Sequence, residues 1–293
     1  MTTPPPSRTR GRLAIVAGWG TLPLYLAEAA RASGDDPVVV ALTNEADRVF
    51  DGFETVAAGV GDLAGIERFI RQKGVDRVVM SGAVRRRPDL RDIRPTLRTL
   101  LRVPSVVRTL LSGGDDAVLQ MVISLFEGMG CRVIGAHEVA PNLLARTGTL
   151  TSIRPSQEDV RDIEEAIKAA FALGRLDVGQ GAVSVGGRVV ALEGAEGTDL
   201  MLDRVAALRR EGRISSRRKG VLVKLCKPQQ DVRADLPAIG LSTIANASDA
   251  GLAGIAVEAG RSLVLDEREV IAAAEEAGLF LCGIDTALPR GGL

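Results

Sequence analysis

Apolar runs of strand length alternate with amphipathic helical segments in the first half of the chain. Four runs have this length, at residues 13–17, 37–42, 54–58 and 77–81. Residues 13–17 are continuously apolar, which is typical of a strand buried on both faces. Helical periodicity follows them up to about Ala32 and recurs over residues 63–73. The alternation predicts a mostly parallel sheet, with ligands at the carboxyl ends of its strands.

The second half follows a different pattern, in which some predicted strands follow one another in the sequence without a helix between them. Gly186-Gly187 separates two strand signals and predicts a hairpin. Helices are expected over residues 157–173, after a Ser156 cap, and over residues 199–210, after a Thr198 cap. Strands are predicted at residues 181–185, 188–193, 220–226, 254–257, 262–265 and 279–284. This half therefore predicts a separate, mixed α/β sheet.

These patterns predict an α/β protein of two domains. We expect an N-terminal Rossmann-like parallel-sheet domain over residues 12–143 and a second, mixed α/β domain over residues 156–293. Residues 144–155 show little periodicity and are predicted to be a linker. Residues 1–11 are polar and proline-rich, as in a disordered tail.

Composition restricts the class of protein. The 293 residues are 46% apolar and only 3% aromatic, and the formal net charge is zero, which argues against a nucleic-acid partner. The three cysteines are widely spaced, so a disulfide framework and a zinc ribbon are not expected. No segment offers about 18 uninterrupted apolar residues. We therefore expect a cytoplasmic protein that could still touch a membrane surface.

The stretch GVLVKLCKPQQDVRADLP, residues 220–237, has the chemistry of an active-site loop. It begins as a strand, with Val221, Val223 and Leu225 on one face, and breaks at Pro228 into a polar loop. Three of the five lysines in the chain lie within nine residues, at 219, directly before this stretch, and at 224 and 227 within it. Lysine is a compact charge suited to phosphate, and an aspartate among cations suits a metal or an attacking water.

A second acidic segment lies between a predicted strand and a predicted helix. Glu193, Glu196 and Asp199 supply carboxylate oxygens that suit a hard cation such as Mg²⁺. The alternative is structural, since Asp199 favours the first turn of a helix and Thr198 favours its cap.

Three candidate ligand-binding segments lie in the first half. Gly18-Trp19-Gly20 begins like a dinucleotide fingerprint, but Pro23 stands where the third glycine belongs. The turn could instead present backbone N–H groups to a different ligand, or it could be purely structural. Residues 81–88 place three arginines after a strand, where they form either a phosphate clamp or a solvated loop. His137, the only histidine, lies beside Glu138 and suits a substrate hydrogen bond or a structural role equally.

A set of motifs between residues 13 and 284 is shared with one bacterial family. The motifs are LPLYLAEAA after the glycine turn, GDDAVL, GAHEV, GRLDVGQGAVSV, EGTDLML, KPQQDVRADLP and AGLAGIAVEAG. The chain resembles the LpxI-type UDP-2,3-diacylglucosamine pyrophosphatases of lipid A biosynthesis. Three positions depart from the family pattern: Trp19 and Gln229 replace glycine, and Ala234 replaces valine.

The resemblance implies an enzyme that hydrolyses UDP-2,3-diacylglucosamine to lipid X and UMP, with water attacking the α-phosphorus and a divalent cation such as Mg²⁺ taking part. It implies that the acylated UDP-sugar lies between the two domains, the second being catalytic. It is also compatible with transient contact at the inner-membrane surface and with a homodimer. The family's aspartate in the DLP motif corresponds to Asp235, and this residue is the first candidate for catalysis.

The resemblance and the residue chemistry together assign the site. Catalytic roles are expected for Asp235, Asp199, Glu196 and Lys227, and the three acids are also the expected metal ligands, without a ranking between ligand and base. Substrate contacts are expected at Gly20, Thr21, Leu22, Gly82, Ala83, Arg85, Asp115, Asp116, Ala136, His137, Glu138, Gln180, Thr198, Lys224 and Arg233. The segment over residues 97–111 is either lipid-facing or an ordinary amphipathic helix.

Two other classes of protein remain open at this point. A nucleotide-dependent dehydrogenase is supported only by the first strand–helix–strand unit. A non-catalytic nucleotide-lipid binding protein would not need the acids over residues 193–199.

Overall fold

The computed structural model describes residues 11–84 and 115–286. The chain divides into two compact units. The first unit comprises Met1–Pro141 together with Asp231–Asp235, and the second comprises Asn142–Gln230 and Leu236–Leu293. Residues 231–235 are thus inserted in the sequence of the second unit but group with the first.

The first unit contains a five-stranded sheet in the order β3-β2-β1-β4-β5, and every pair is parallel. The strands are β1 Arg12–Ala17, β2 Val38–Leu42, β3 Glu54–Ala58, β4 Val75–Ser81 and β5 Arg132–Ile134. The helices are α1 Leu22–Ala32, α2 Leu63–Gln72, α3 Asp115–Gly128 and α4 Ala136–Val139. The strand order reverses between β1 and β4, which is where open α/β sheets bind ligands.

The second unit contains a six-stranded mixed sheet in the order β6-β13-β11-β9-β7-β8, and a two-stranded sheet of β10 and β12. Its strands are β6 Gly148–Thr149, β7 Gly181–Val185, β8 Arg188–Leu192, β9 Val221–Lys224, β10 Ala238–Ile239, β11 Gly254–Glu258, β12 Leu263–Val264 and β13 Phe280–Ile284. Its helices are α5 Gln157–Arg175, α6 Gly197–Arg210, α7 Leu241–Asp249 and α8 Glu267–Glu276, after a 3₁₀ turn at Pro141–Leu143. Strands β9, β11 and β13 are parallel, whereas β7, β8 and β6 run antiparallel to their neighbours.

Alternate side chains of β9 enter different cores, because successive residues of a strand point to opposite faces. Val221, Val223 and Leu225 pack in a cluster with residues of α5, and Leu222 packs in another with residues of α6, α7 and α8. The predicted face of this strand is therefore confirmed. So is the predicted fold class, a parallel-sheet domain followed by a mixed one.

A buried aspartate stabilises the predicted hairpin between β7 and β8 by accepting hydrogen bonds from it. Gly186 and Gly187 both have positive φ, as this type of turn requires. Their two N–H groups donate to the carboxylate of Asp162, at 2.9 and 2.7 Å, and Ser184 Oγ donates to it at 2.7 Å. Asp162 lies on α5, which this network ties to the edge of the sheet.

Candidate functional sites

The glycine turn after β1 is closed by hydrogen bonds within the first unit. Gly18 N donates to Ser81 O, Trp19 N to Ala83 O and Gly20 N to Asp47 Oδ1, each at 2.8 Å. In a dinucleotide-binding turn such donors face phosphate. Here they are engaged by the protein, so the dehydrogenase hypothesis gains no support from this turn.

The close approach of this turn to the end of β4 explains two of its glycines. A Cβ on Gly18 would lie 2.5 Å from Ala83 O, and a Cβ on Gly82 would lie 2.8 Å from Trp19 O. Gly82 also has a φ of +84°, which disfavours any side chain. The Trp19 side chain is exposed, so the replacement of the family glycine leaves the backbone pairing intact.

The end of β5 carries the segment that contains the only histidine. Glu138 is structural here, because its Oε1 accepts from Gly135 N at 3.0 Å and its Oε2 accepts from Arg132 Nη2 at 2.8 Å. His137 is half-buried, and its Nδ1 is buried without a hydrogen-bond partner in the part of the chain that the structure describes. A Cβ on Gly135 would lie 2.6 Å from that nitrogen and 3.1 Å from Val232 O.

The remaining predictions in the first unit are placed only in part. Thr21 lies at the start of α1, which begins with Leu22, and it makes no side-chain cap. Asp115 begins α3 together with Asp116, as the sequence predicted, but their side chains lie outside the described residues. Arg85 and the segment over residues 97–111 also lie outside them.

Residues 231–235 form a turn stabilised by an ion pair. Arg233 donates from Nη2 to Asp231 Oδ2 at 2.7 Å and from Nε to Asp231 Oδ1 at 3.0 Å. It also donates from Nη1 to Glu127 of α3 at 2.9 Å. The hydrogen bonds from Arg233 hold the pKa of Asp231 below its usual value, and Asp231 raises the pKa of Arg233. Asp235 is exposed at the end of this turn, and its N–H donates to Asp231 O at 3.3 Å.

The carboxyl edge of the second sheet is the edge at which β9, β11 and β13 end. Val257 of β11 pairs with Lys224 of β9, so Glu258 lies one residue beyond the end of β9. Strand β7 is antiparallel and brings Gly181 opposite Lys224. Gln180, which precedes β7, therefore lies at the same edge.

Glu193, after β8, connects this edge to helix α6. Its buried carboxylate accepts from Gln180 N at 3.3 Å and from Thr198 Oγ1 at 2.7 Å. The predicted Thr198 cap is wrong, because α6 begins at Gly197 with Glu196 in the cap position and the hydroxyl bonds to Glu193 instead. Gln180 Oε1 is buried and has no hydrogen-bond partner among the described residues.

Both predicted lysines at this edge have partners in the protein. Lys224 is buried, and its Nζ donates to Ala238 O at 3.1 Å. Lys227 Nζ forms an ion pair with Asp177 Oδ1 at 2.8 Å. Asp177 belongs to the GRLDVGQG motif, and its residue type gave no sign of this pairing.

The two acids at the start of α6 are exposed. Asp199 Oδ1 accepts from Asn246 Nδ2 at 3.0 Å, and Glu196 Oε1 lies 3.1 Å from Arg204 Nη2. They belong to the second unit, whereas Asp235 groups with the first. Within either unit, the described residues include no group of three or more histidine, cysteine, aspartate or glutamate side chains placed to hold a metal ion.

Sequence reasoning missed a buried network at the centre of the carboxyl edge. Glu258 is 6% exposed and accepts from Cys226 N at 2.9 Å and from Thr286 Oγ1 at 3.0 Å. Arg261 Nη1 lies 3.4 Å from Glu258 Oε1. Gln230, also buried, accepts from Lys227 N at 3.1 Å. The only signal for this network was a glutamate ending an otherwise apolar strand, GIAVE.

None of the helices in the described ranges 11–84 and 115–286 is both long and apolar enough to cross a membrane.

Fold and sites define a two-domain α/β protein with polar and charged groups at the carboxyl ends of parallel strands, the usual position of ligand sites in such sheets. The chain belongs to the LpxI family. The family model for the LpxI N-terminal domain matches residues 12–143, and the model for the LpxI C-terminal domain matches residues 146–282. The resemblance found in the sequence is thereby confirmed.

One relative is similar over nearly its full length. The UDP-2,3-diacylglucosamine pyrophosphatase LpxI of Caulobacter vibrioides is 44% identical over 276 residues, covering 94% of this chain and 98% of the relative. Among solved structures, the UDP-glucose 4-epimerase of Thermus thermophilus in complex with NAD is 14% identical. It covers 96% of this chain and 88% of its own, with a TM-score of 0.30, which is too low to support any conclusion.

Proposed function

We propose that this protein hydrolyses the pyrophosphate bond of UDP-2,3-diacylglucosamine, giving UMP and 2,3-diacylglucosamine 1-phosphate (lipid X) for lipid A biosynthesis. The observation that carries the proposal is the 44% identity with a pyrophosphatase of that name over 94% of this chain. The polar groups at the carboxyl edge of the second sheet support it, because a pyrophosphate substrate needs charged and hydrogen-bonding groups around it.

In the proposed reaction a water oxygen attacks the α-phosphorus. The water oxygen forms a new bond to the α-phosphorus, which stays in UMP. The bond from the α-phosphorus to the bridging oxygen breaks, so that lipid X leaves with the bridging oxygen. Asp235 accepts the proton of the attacking water. This role suits Asp235 because it is exposed and follows directly on the Asp231–Arg233 ion pair, which fixes the turn that carries it.

A divalent cation such as Mg²⁺ fits the acids of the second unit. Mg²⁺ is usually held by one or two carboxylates together with substrate phosphates, so a cage of three protein ligands is not required. Asp199 and Glu196, exposed at the start of α6, would supply those oxygens. When bound, the cation would reduce the negative charge on the phosphoryl oxygens.

Two polar residues at the carboxyl edge have supporting roles in this proposal. Gln180 accepts a hydrogen bond from the substrate through its buried Oε1. Lys227, held by Asp177, supplies a fixed positive charge close to the phosphates rather than a mobile one. Contact with the inner-membrane surface and a homodimer stay predictions.

The test is hydrolysis of UDP-2,3-diacylglucosamine in ¹⁸O-labelled water, with Mg²⁺ and with EDTA. We expect UMP release that EDTA abolishes, with the label in UMP. Label in lipid X would mean attack on the other phosphorus and would overturn the mechanism. Tight substrate binding without any release of UMP would instead identify a non-catalytic nucleotide-lipid binding protein.

A further inference from the structure

The loop after β11 carries an arginine that the sequence gave no reason to select. Arg261 follows Glu258 by three residues, at the carboxyl edge of the second sheet. Its Nη1 lies 3.4 Å from Glu258 Oε1, and its Nη2 donates to Cys226 Sγ at 3.3 Å. The side chain is nevertheless 40% exposed. The guanidinium is therefore in contact with the protein while the side chain stays partly exposed.

The carboxylate that contacts this arginine is itself held by hydrogen bonds. Glu258 ends the central strand β11, and its carboxylate is fixed by the Cys226 N–H and the Thr286 hydroxyl. A buried carboxylate requires such partners, because an unpaired charge is costly away from water. Glu258 therefore offers Arg261 a fixed acceptor without using all of the donors of the guanidinium.

The geometry leaves Arg261 with hydrogen-bonding capacity to spare. A guanidinium has five N–H donors in a planar fork that matches phosphate oxygens. The two contacts with Glu258 and Cys226 use one donor on each terminal nitrogen. Lys224 donates to Ala238 O, and the charge of Lys227 is paired with Asp177, so neither of them offers a planar fork of donors.

We propose that Arg261 binds a phosphoryl oxygen of the pyrophosphate substrate, with Glu258 as the positioning residue that orients its guanidinium. The inference rests on the proposed function, since it concerns the same substrate. It names a binding residue in the second unit that the family resemblance did not supply.

The test compares Arg261→Ala and Arg261→Lys with Arg268→Ala, a matched control at an exposed arginine of α8. Arg261→Ala should raise KM for UDP-2,3-diacylglucosamine roughly 10- to 100-fold, as expected for a lost charged hydrogen bond. Arg261→Lys should recover part of that loss, because it keeps the charge without the fork. Wild-type KM in Arg261→Ala would overturn the proposal.

A double-mutant comparison tests the positioning role. Glu258→Gln should raise KM by less than Arg261→Ala, with kcat changed less than KM. Glu258→Gln combined with Arg261→Ala should be no worse in KM than Arg261→Ala alone, because the glutamate acts through the arginine. Additive effects on KM would overturn this role, and thermal unfolding of each variant separates it from loss of fold.

Inorganic pyrophosphate provides a readout that does not depend on turnover. Calorimetric titration should show weaker binding to Arg261→Ala than to wild type and Arg268→Ala, and equal binding by all three would contradict the inference. A wild type that binds pyrophosphate but releases no UMP would overturn the proposed function and leave the inference about Arg261 standing.

Discussion

The carboxyl edges of the two sheets differ in what they present. At the first, the N–H groups of the glycine turn donate to Ser81, Ala83 and Asp47, so the backbone closes on itself. At the second, the half-exposed guanidinium of Arg261 and the backbone N–H of Gln180 donate to buried carboxylates. The same position in an α/β sheet thus serves as a structural closure in one unit and as a set of oriented polar groups in the other.

The sharpest test of this difference concerns the acids of the two units. Asp235→Asn should lower kcat roughly 10²- to 10⁴-fold with little change in KM, as expected for loss of a general base. Asp199→Asn should lower kcat less and raise the Mg²⁺ concentration needed for half-maximal rate. Steady-state UMP release over a range of Mg²⁺ concentrations measures both.

Asp249→Asn, at an exposed acid ending α7, is the control and should behave as wild type. Near-normal kcat in Asp235→Asn at saturating Mg²⁺ would show that the catalytic base lies elsewhere.

A smaller effect is expected on the free energy of unfolding when the contact between the glycine turn and the end of β4 is disturbed. Gly82→Ala should destabilise the protein by about 1–3 kcal/mol, because φ is +84° and the new Cβ would meet Trp19 O. Gly128→Ala at the end of α3, where a Cβ meets no atom within 4 Å, should cost nothing. Urea unfolding measures both changes. Equal stabilities of the two variants would show that the glycine turn and the end of β4 do not pack as closely as the hydrogen bonds between them indicate.

The ion pair of residues 231–235 should depend on pH in a defined direction. Asp231 has a pKa lowered from about 3.8, so its stabilising contribution is complete above the ordinary range and is lost as pH falls through the lowered pKa. The difference in unfolding free energy between wild type and Asp231→Asn should therefore be constant from pH 7 to 5 and shrink below pH 4. A difference that grew on acidification would contradict the assignment.

The smallest expected effect is on the alkylation rate of the buried cysteines. This rate measures how readily each sheet exposes its thiol to solvent. Burial raises the pKa of Cys282 in β13 to about 12, and burial and Asp76 raise that of Cys131 next to β5. Since the thiolate reacts, alkylation of both at pH 8 should be far slower in the native protein than in urea. Cys282, which is fully buried, should react more slowly than Cys131. The reverse order would mean that the second sheet opens first.

Local pattern was sufficient for most of the fold. The alternation Val221, Leu222, Val223 predicted opposite faces correctly, because side-chain direction in a strand depends only on neighbouring residues. Ser156 was correctly predicted to cap α5, where it accepts from Asp159 N at 3.3 Å. The predicted cap at Thr198 was wrong, because its hydroxyl donates to Glu193 and does not bond to the helix backbone.

The site residues were harder to predict, because their partners lie far away in sequence. The substrate contact predicted for Lys224 stays a prediction, and only the fold shows that its ammonium group also donates to Ala238 O. Arg261 had no local signal, and Glu258 had only its place at the end of an apolar strand, since Cys226 comes near them only when β9 and β11 pair.

By itself, then, the sequence determined the order of the elements, the two α/β domains and membership of the LpxI family, because periodicity, turns and motifs are properties of adjacent residues. The tertiary structure decided which charges are already engaged within the protein and grouped residues 231–235 with the first unit. Only the tertiary structure can decide this, because hydrogen bonds and ion pairs require distances of about 3 Å. Strand pairing brings residues that are far apart in the sequence to such distances.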